Sequence, residues 1–222
     1  MIKDINNSFD EIHCILTLDK PERVLNANKV FNDYNINNVK YTYAFDKPIY
    51  RNIRESYKSL QDPFYENVYI KMKNVYDRAF DCALNHYNII KGAYKRGLNN
   101  ILVFEDDINF IVNKDIFNKI IEQMPNDYDI IKFYNVSDEE YYNVTTEVKY
   151  TKEFKENGSH SCIMVAYSNK GMKAYIDKIE DNGIAPCDIY YKNLIKENKI
   201  NIYRLNSYFI KPILKSYTFE GK

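Results

Sequence analysis

Residues Ile101–Asp107 read ILVFEDD, a short apolar run that ends in three consecutive acidic residues. A run of this length, after a helical segment and a glycine-containing turn, predicts a central parallel β-strand covered on both faces. Ligand and metal sites of α/β proteins lie at the carboxyl ends of such strands. Three adjacent carboxylates would raise one another's pKa, which favours a bound cation. A hard divalent ion, whose coordination a diphosphate could complete, is the most economical hypothesis.

The same three acidic residues also have a simpler interpretation. Acidic residues after a strand often form a solvated loop or the N-cap of a following helix. The triplet alone does not decide between a cation site and a solvated loop, so the decision depends on the rest of the chain.

Hydrophobic periodicity on both sides of this strand predicts a single α/β domain over residues 1–222. Further strands are predicted at 12–18, 39–43, 130–134, 162–167 and 200–204, and helices after Pro21 and at 74–96, 113–123, 169–180 and 187–197. Gly97 is predicted to end the longest helix in a left-handed conformation. Residues 46–68 are predicted as a loop or small excursion, and residues 135–157 as a long loop or hairpin.

The composition argues against several classes of protein. The 31 basic and 31 acidic residues cancel, which argues against nucleic-acid binding. The N-terminus has no apolar signal-peptide core and no stretch approaches the length of a transmembrane helix, so a cytoplasmic location is expected. The four cysteines have no C-x-x-C spacing, which argues against a zinc knuckle or redox pair and predicts reduced, mostly buried thiols: Cys14, Cys82, Cys162 and Cys187.

Residues 82–107, CALNHYNIIKGAYKRGLNNILVFEDD, closely resemble the signature region of glycosyltransferase family 25. That family includes the bacterial lipopolysaccharide β-1,4-galactosyltransferases and the procollagen galactosyltransferases. Shorter similar stretches follow the family's order along the chain, at 12–23, 44–46, 158–172, 186–188 and Pro212. Two positions depart from its usual pattern: Asn85 replaces a serine and Asp81 replaces a glycine.

The resemblance implies a GT-A-type, Rossmann-like α/β fold that binds a nucleotide sugar, with a mixed, mostly parallel central sheet. Residues 1–110 would form the donor-binding half and residues 111–222 the acceptor-binding half. It further implies metal-dependent transfer of a galactose-like hexose from a nucleotide-diphosphate sugar, expected to be a UDP-sugar, in lipopolysaccharide or surface glycan biosynthesis. The cofactor would be Mn²⁺ or Mg²⁺, and the transfer would be inverting.

The acidic triplet matches the metal-binding motif of such folds. Asp107 is the predicted direct ligand and Glu105 its support, because alternate residues of an extended segment point to the same side. Asp106 is then predicted to contact the ribose or the sugar. His160, just before a strand, could add a nitrogen ligand or hydrogen-bond the donor, with a structural hydrogen bond as the alternative.

An inverting transfer needs a general base, and Asp188 is the candidate because it matches the family's Pro-x-Asp position. Aspartate at that position is also a good N-cap, which is the simpler interpretation. Residues beyond strand ends, an arginine early in a helix and a histidine in the signature region complete the predicted donor contacts: Thr17, Asp19, Arg23, Asp46 and His86.

Two other function classes stay open at this point. A metal-dependent phosphotransferase or nuclease could use the same acids, but it would need a second acidic cluster and, for nucleic acid, a basic groove. A catalytically silent homologue could bind a sugar nucleotide or act as a scaffold. The expected partners of the transferase are a sugar nucleotide and a glycan or lipid-linked glycan acceptor, which leaves room for peripheral membrane contact.

Overall fold

The computed structural model describes residues 4–17, 20–43, 73–134, 148–152, 161–182, 187–197, 199–205 and 209–212. The side chains of 73–81, 188, 189 and 192 lie outside this description. The described strands are β1 (Glu11–Leu16), β2 (Val39–Tyr43), β3 (Asn100–Glu105), β4 (Ile130–Lys132), β5 (Tyr150–Lys152), β6 (Met164–Ser168) and β7 (Ile202–Leu205). The described helices are α1 (Ile5–Ser8), α2 (Pro21–Asp33), α3 (Lys73–Lys95), α4 (Lys114–Glu122), α5 (Asn169–Asn182) and α6 (Cys187–Glu197).

The seven strands form one sheet in the order β2-β1-β3-β6-β4-β7-β5. β1, β2, β3, β4 and β7 run in the same direction, whereas β6 and β5 run opposite to them. The predicted mixed, mostly parallel α/β fold is therefore confirmed. The carboxyl ends of β1 and β3 lie side by side, as a ligand site of this fold class requires.

β3 is central and covered on both faces, as its apolar sequence predicts. Ile101 and Val103 pack on one face with α3, α5 and α6. Leu102 and Phe104 pack on the other face with α1, α2 and α4. Only one neighbour of β3 is parallel, however, because β6 pairs with it in the antiparallel direction. A buried strand needs apolar residues whichever way its neighbour runs, so the sequence does not encode that direction.

The helix ends follow from local chemistry. Gly97 has φ +74° and ends α3, as predicted. Pro21 is the first residue of α2, where a missing N–H costs no hydrogen bond. The Asn113 side chain caps α4 by accepting a hydrogen bond from the N–H of Ile116. These residues fix where the helices begin and end relative to the edge of the sheet that carries the acids.

The remaining sequence predictions have mixed outcomes. α1 was not predicted, because four residues carry no periodic signal. Within the predicted loop or hairpin 135–157, residues 150–152 form β5, which pairs with β7. The predicted loop 46–68 and residue 18 of the first strand lie outside the described residues. In the part of the chain that the structure describes, no helix is long and apolar enough to cross a membrane.

Candidate functional site

The three acidic residues lie where β3 ends, and we call Glu105–Asp107 the acidic turn. Glu105 is the last residue of the strand, and the next two residues form a turn in which the N–H of Ile108 donates to the carbonyl of Glu105 at 3.3 Å. The alternation expected of an extended segment therefore stops at Glu105. As a result, each of the three carboxylates has its own surroundings.

Asp106 joins the acidic turn to the end of β1 and the start of α2. Its Oδ2 accepts a hydrogen bond from the backbone N–H of Thr17 at 2.5 Å. Its Oδ1 pairs with Nη1 of Arg23 at 3.2 Å, and its side chain is only 3% exposed. Thr17 and Arg23, both predicted donor contacts, are thus brought to the acidic turn. Both oxygens of Asp106 are engaged with protein groups, which leaves Asp107 and Glu105 as the acids better placed to receive a cation.

Asp107 is a buried carboxylate in a negative environment. Asp107 is 4% exposed, and its Oδ1 has no hydrogen-bond partner among the described residues. Burial is the main cause that raises the pKa of Asp107 to about 7, and the carboxylate of Glu105 is the next, while the guanidinium of Arg23 opposes them. A buried acid of this kind is stabilised either by a proton or by a cation. The donor set therefore fits a hard divalent ion.

Glu105 faces the opposite direction from Asp106, towards α3. Its Oε1 accepts a hydrogen bond from Sγ of Cys82 at 3.0 Å and lies 3.3 Å from Nε2 of His86. The side chain of His86 is fully buried, whereas that of Glu105 is 23% exposed. His86 thus touches the acidic turn through Glu105, and its contact with a substrate stays a prediction.

Three of the four cysteines meet beside Glu105, and we call Cys82, Cys162 and Cys187 the thiol cluster. Burial raises the pKa of the Cys187 thiol, but hydrogen bonds from Cys162 and Cys82, the charge of His86 and a hydrogen bond from Tyr175 together lower that pKa well below the usual range. The hydrogen bond to Cys187, followed by burial, raises the pKa of Cys82 well above its usual value.

No cysteine forms a disulfide, and Cys14, Cys162 and Cys187 are buried, so the expectation of reduced, mostly buried thiols is confirmed for the structure described. Their convergence was not anticipated. The available signal was the spacing of four between Cys82 and His86, which places both on one face of a helix.

The comparison with protein-family models decides the family. The model of glycosyltransferase family 25 (LPS biosynthesis protein) matches residues 19–213. This chain belongs to glycosyltransferase family 25. The match spans nearly the whole chain and includes the acidic turn, so the resemblance seen in residues 82–107 is confirmed. A search of curated proteins found no match.

Membership of family 25 indicates the general activity of this chain and the biosynthetic process to which it belongs. It is a glycosyltransferase of lipopolysaccharide biosynthesis, acting between a sugar donor and a glycan acceptor. This favours the transferase over the phosphotransferase or nuclease interpretation of the acids. The cytoplasmic location stays a prediction.

Four predicted site residues fall wholly or partly outside the part of the chain that the structure describes. Asp19, Asp46 and His160 lie outside the described residues, and Asp188 belongs to α6 but its side chain is not described. Cys187, the residue before Asp188, is the first residue of α6 and belongs to the thiol cluster. α6 therefore begins close to the acidic turn. The roles predicted for these four residues stay predictions.

Proposed function

We propose that this family 25 enzyme transfers a galactose-like hexose from a nucleotide-diphosphate sugar, a UDP-sugar, to a hydroxyl group of a glycan acceptor. The transfer would invert the anomeric centre and depend on Mn²⁺ or Mg²⁺ at the acidic turn. One observation carries this proposal: the buried Asp107 carboxylate, with a pKa of about 7 and an unpartnered Oδ1 among the described atoms, lies at the end of a central strand.

The residues fit the divalent ion in kind and in charge. Asp107 would hold it through oxygen, with support from Glu105, whose described contacts both use Oε1. When bound, such an ion neutralises charge on the leaving diphosphate. Binding of a cation would keep Asp107 ionised at neutral pH, because it opposes the burial and the repulsion that raise its pKa.

The surrounding side chains would orient the donor. Arg23 is held beside the acidic turn by Asp106, and its Nε is buried without a hydrogen-bond partner among the described residues. A diphosphate oxygen of the donor is a chemically matched acceptor for such a guanidinium. Asp106 would act mainly by fixing Arg23 and the end of β1, and would contact the ribose or sugar only by giving up one of these hydrogen bonds.

An inverting transfer also needs a base that takes the proton of the acceptor hydroxyl. Asp188 fills this role in the proposal, because it is the second residue of a helix that begins beside Glu105. Its carboxylate would remove the proton as the hydroxyl attacks the anomeric carbon, on the face opposite the leaving diphosphate.

A thermal-shift panel tests the donor and metal parts of the proposal. UDP-, GDP-, CMP- and dTDP-sugars would be added with and without Mn²⁺ to wild type, Asp107→Asn and the control Asp177→Asn, whose carboxylate is exposed on α5. At about 100 times Kd, the correct donor should raise Tm by roughly 5–10 °C. The shift should need Mn²⁺, disappear in Asp107→Asn and persist in Asp177→Asn.

The outcomes separate the remaining alternatives. A shift without sugar transfer to any glycan acceptor would favour the catalytically silent homologue. No shift with any sugar nucleotide, in a folded protein at millimolar ligand, would overturn the proposed donor site.

A further inference from the structure

We propose a second metal site in this chain, in which Cys82, His86 and Cys187 hold a zinc ion and Glu105 supplies the fourth ligand. This site would lie on the α3 side of the acidic turn and would take only Oε1 of Glu105, which leaves Oε2 for the hard-cation site at Asp107.

Geometry carries this proposal. The sulfur atoms of Cys82 and Cys187 and a ring nitrogen of His86 all lie within 4.8 Å of one another. Oε1 of Glu105 lies 3.0 Å from Sγ of Cys82 and 3.3 Å from Nε2 of His86. In tetrahedral coordination, with Zn–S bonds of about 2.3 Å and Zn–N or Zn–O bonds of about 2.0 Å, ligand atoms lie about 3.3 to 3.8 Å apart. The side chains of Cys82, His86 and Cys187 therefore need to shift by less than about 1 Å to meet an ion, and Oε1 of Glu105 already lies beside two of them.

The positions of the ligands suit a fixed structural site. Cys82 and His86 are four residues apart and share one face of the long helix α3. Cys187 begins α6 and Glu105 ends β3, so the site would join the consecutive elements α3 and β3 to α6, which lies far along the chain. Cys187 and His86 are buried, and Cys82 is partly buried, which leaves little room for a substrate at the ion.

The chemistry of the ligands selects the metal. Two thiolates and an imidazole suit zinc, whereas Mn²⁺ and Mg²⁺ prefer the carboxylates of the acidic turn. Cys162, which hydrogen-bonds the Cys187 sulfur, would be an outer contact that orients this ligand. Zinc binding would also release the thiol proton of Cys82, so that both sulfur ligands bind as thiolates.

A zinc ion at this site would position neighbouring groups and would take no part in the reaction. Zinc at this site would hold Glu105 and the first turn of α6 in place without touching the reacting sugar. It would thereby fix the acidic turn relative to the helix that carries Asp188. This inference does not depend on the identity of the donor sugar.

Metal analysis tests the site without an activity assay. Wild type, Cys82→Ser, Cys187→Ser and the control Cys14→Ser would be purified under reducing conditions from zinc-supplemented cultures, and their zinc content measured. Cys14 is a suitable control because it is a buried cysteine, like Cys187, on the other face of the sheet. Wild type and Cys14→Ser should hold one tightly bound zinc per chain, and Cys82→Ser and Cys187→Ser should each lose it.

A second measurement covers variants that fail to fold. Zinc-free wild type, confirmed to be folded by circular dichroism, would be titrated with Co²⁺. Four-coordinate cobalt bound to thiolates should give a sulfur-to-metal charge-transfer band and strong visible bands, which added Zn²⁺ removes. Folded wild type with neither zinc nor this spectrum would overturn the inference. It would also be overturned if zinc persisted in Cys82→Ser and Cys187→Ser, or disappeared equally from Cys14→Ser.

Discussion

Nη1 of Arg23 lies 3.2 Å from Oδ1 of Asp106. This ion pair joins α2, the helix that follows β1, to the turn at the end of β3. The Asp106 side chain is 3% exposed and that of Arg23 is 16% exposed. The same carboxylate accepts the backbone N–H of Thr17. This one side chain therefore joins the two parallel strand ends between which the donor is proposed to bind.

Replacing Asp106 with Asn should destabilise the fold. The amide keeps one acceptor for Thr17 or Arg23 but removes the charge that Arg23 requires, at a cost of about 2 kcal/mol. Urea unfolding of metal-free protein would measure this loss. Asp177→Asn breaks an exposed ion pair with Lys173 and should leave the free energy of unfolding unchanged within error. Equal stability of the two variants would contradict a structural role for Asp106.

Much of the fold could be predicted from the sequence because buried strands and amphipathic helices leave periodic signals. The run Ile101–Phe104 predicts a strand covered on both faces, and Gly97 predicts the end of the helix before it. The order of the strands leaves no such signal. β6 lies between β3 and β4 because of tertiary packing, and the three residues of β5 are too short to show alternation.

The candidate site was predictable in its residues but not in its geometry. The acidic triplet could be recognised, yet the directions of its side chains depend on the strand ending at Glu105, a boundary that sequence places only approximately. The thiol cluster is a second example. Cys82 lies on α3, Cys162 just before β6 and Cys187 at the start of α6, and only the folded sheet brings them to Glu105.

The packing of α6 can be tested through a buried pair of tyrosines. The hydroxyl groups of Tyr167 and Tyr191 hydrogen-bond each other in the core. Tyr191→Phe removes this partner from the Tyr167 hydroxyl and should lower the free energy of unfolding by about 1–2 kcal/mol. The matched control is Tyr128→Phe, because the buried Tyr128 hydroxyl has no hydrogen-bond partner among the described residues. A loss in Tyr128→Phe as large as that in Tyr191→Phe would contradict this explanation.

Two glycines should respond in opposite directions to alanine. A Cβ added at Gly171 would lie 1.9 Å from the carbonyl oxygen of Asp129, a backbone atom that cannot move aside without shifting α5 or β4. Gly171→Ala should therefore destabilise the protein by about 3 kcal/mol. A Cβ at Gly92 would meet only the end of the Arg96 side chain, at 3.4 Å. Gly92→Ala should stabilise α3 by about 0.5–1 kcal/mol, and thermal unfolding of the two variants would show whether their effects have opposite signs.

The raised pKa of Asp107 predicts an unusual pH dependence in metal-free protein. Its pKa is about 7 in the folded state and near the ordinary aspartate value of 3.8 when unfolded. Between these values the folded state binds one proton more than the unfolded state, so stability falls as pH rises. The full effect is present below the unfolded pKa and is lost as pH rises through about 7, with an upper limit of about 4 kcal/mol.

Urea unfolding in EDTA at pH 5, 6, 7 and 8 would measure this slope. Asp107→Asn cannot ionise, so its advantage over wild type should grow with pH and level off above pH 7, while other titrating groups cancel in the difference. Adding Mn²⁺ should stabilise wild type most at high pH, where the carboxylate is ionised, and should not stabilise the variant. Parallel pH curves for the two proteins would show that Asp107 is ionised in the folded state without a cation, which would remove the main support for a metal at the acidic turn.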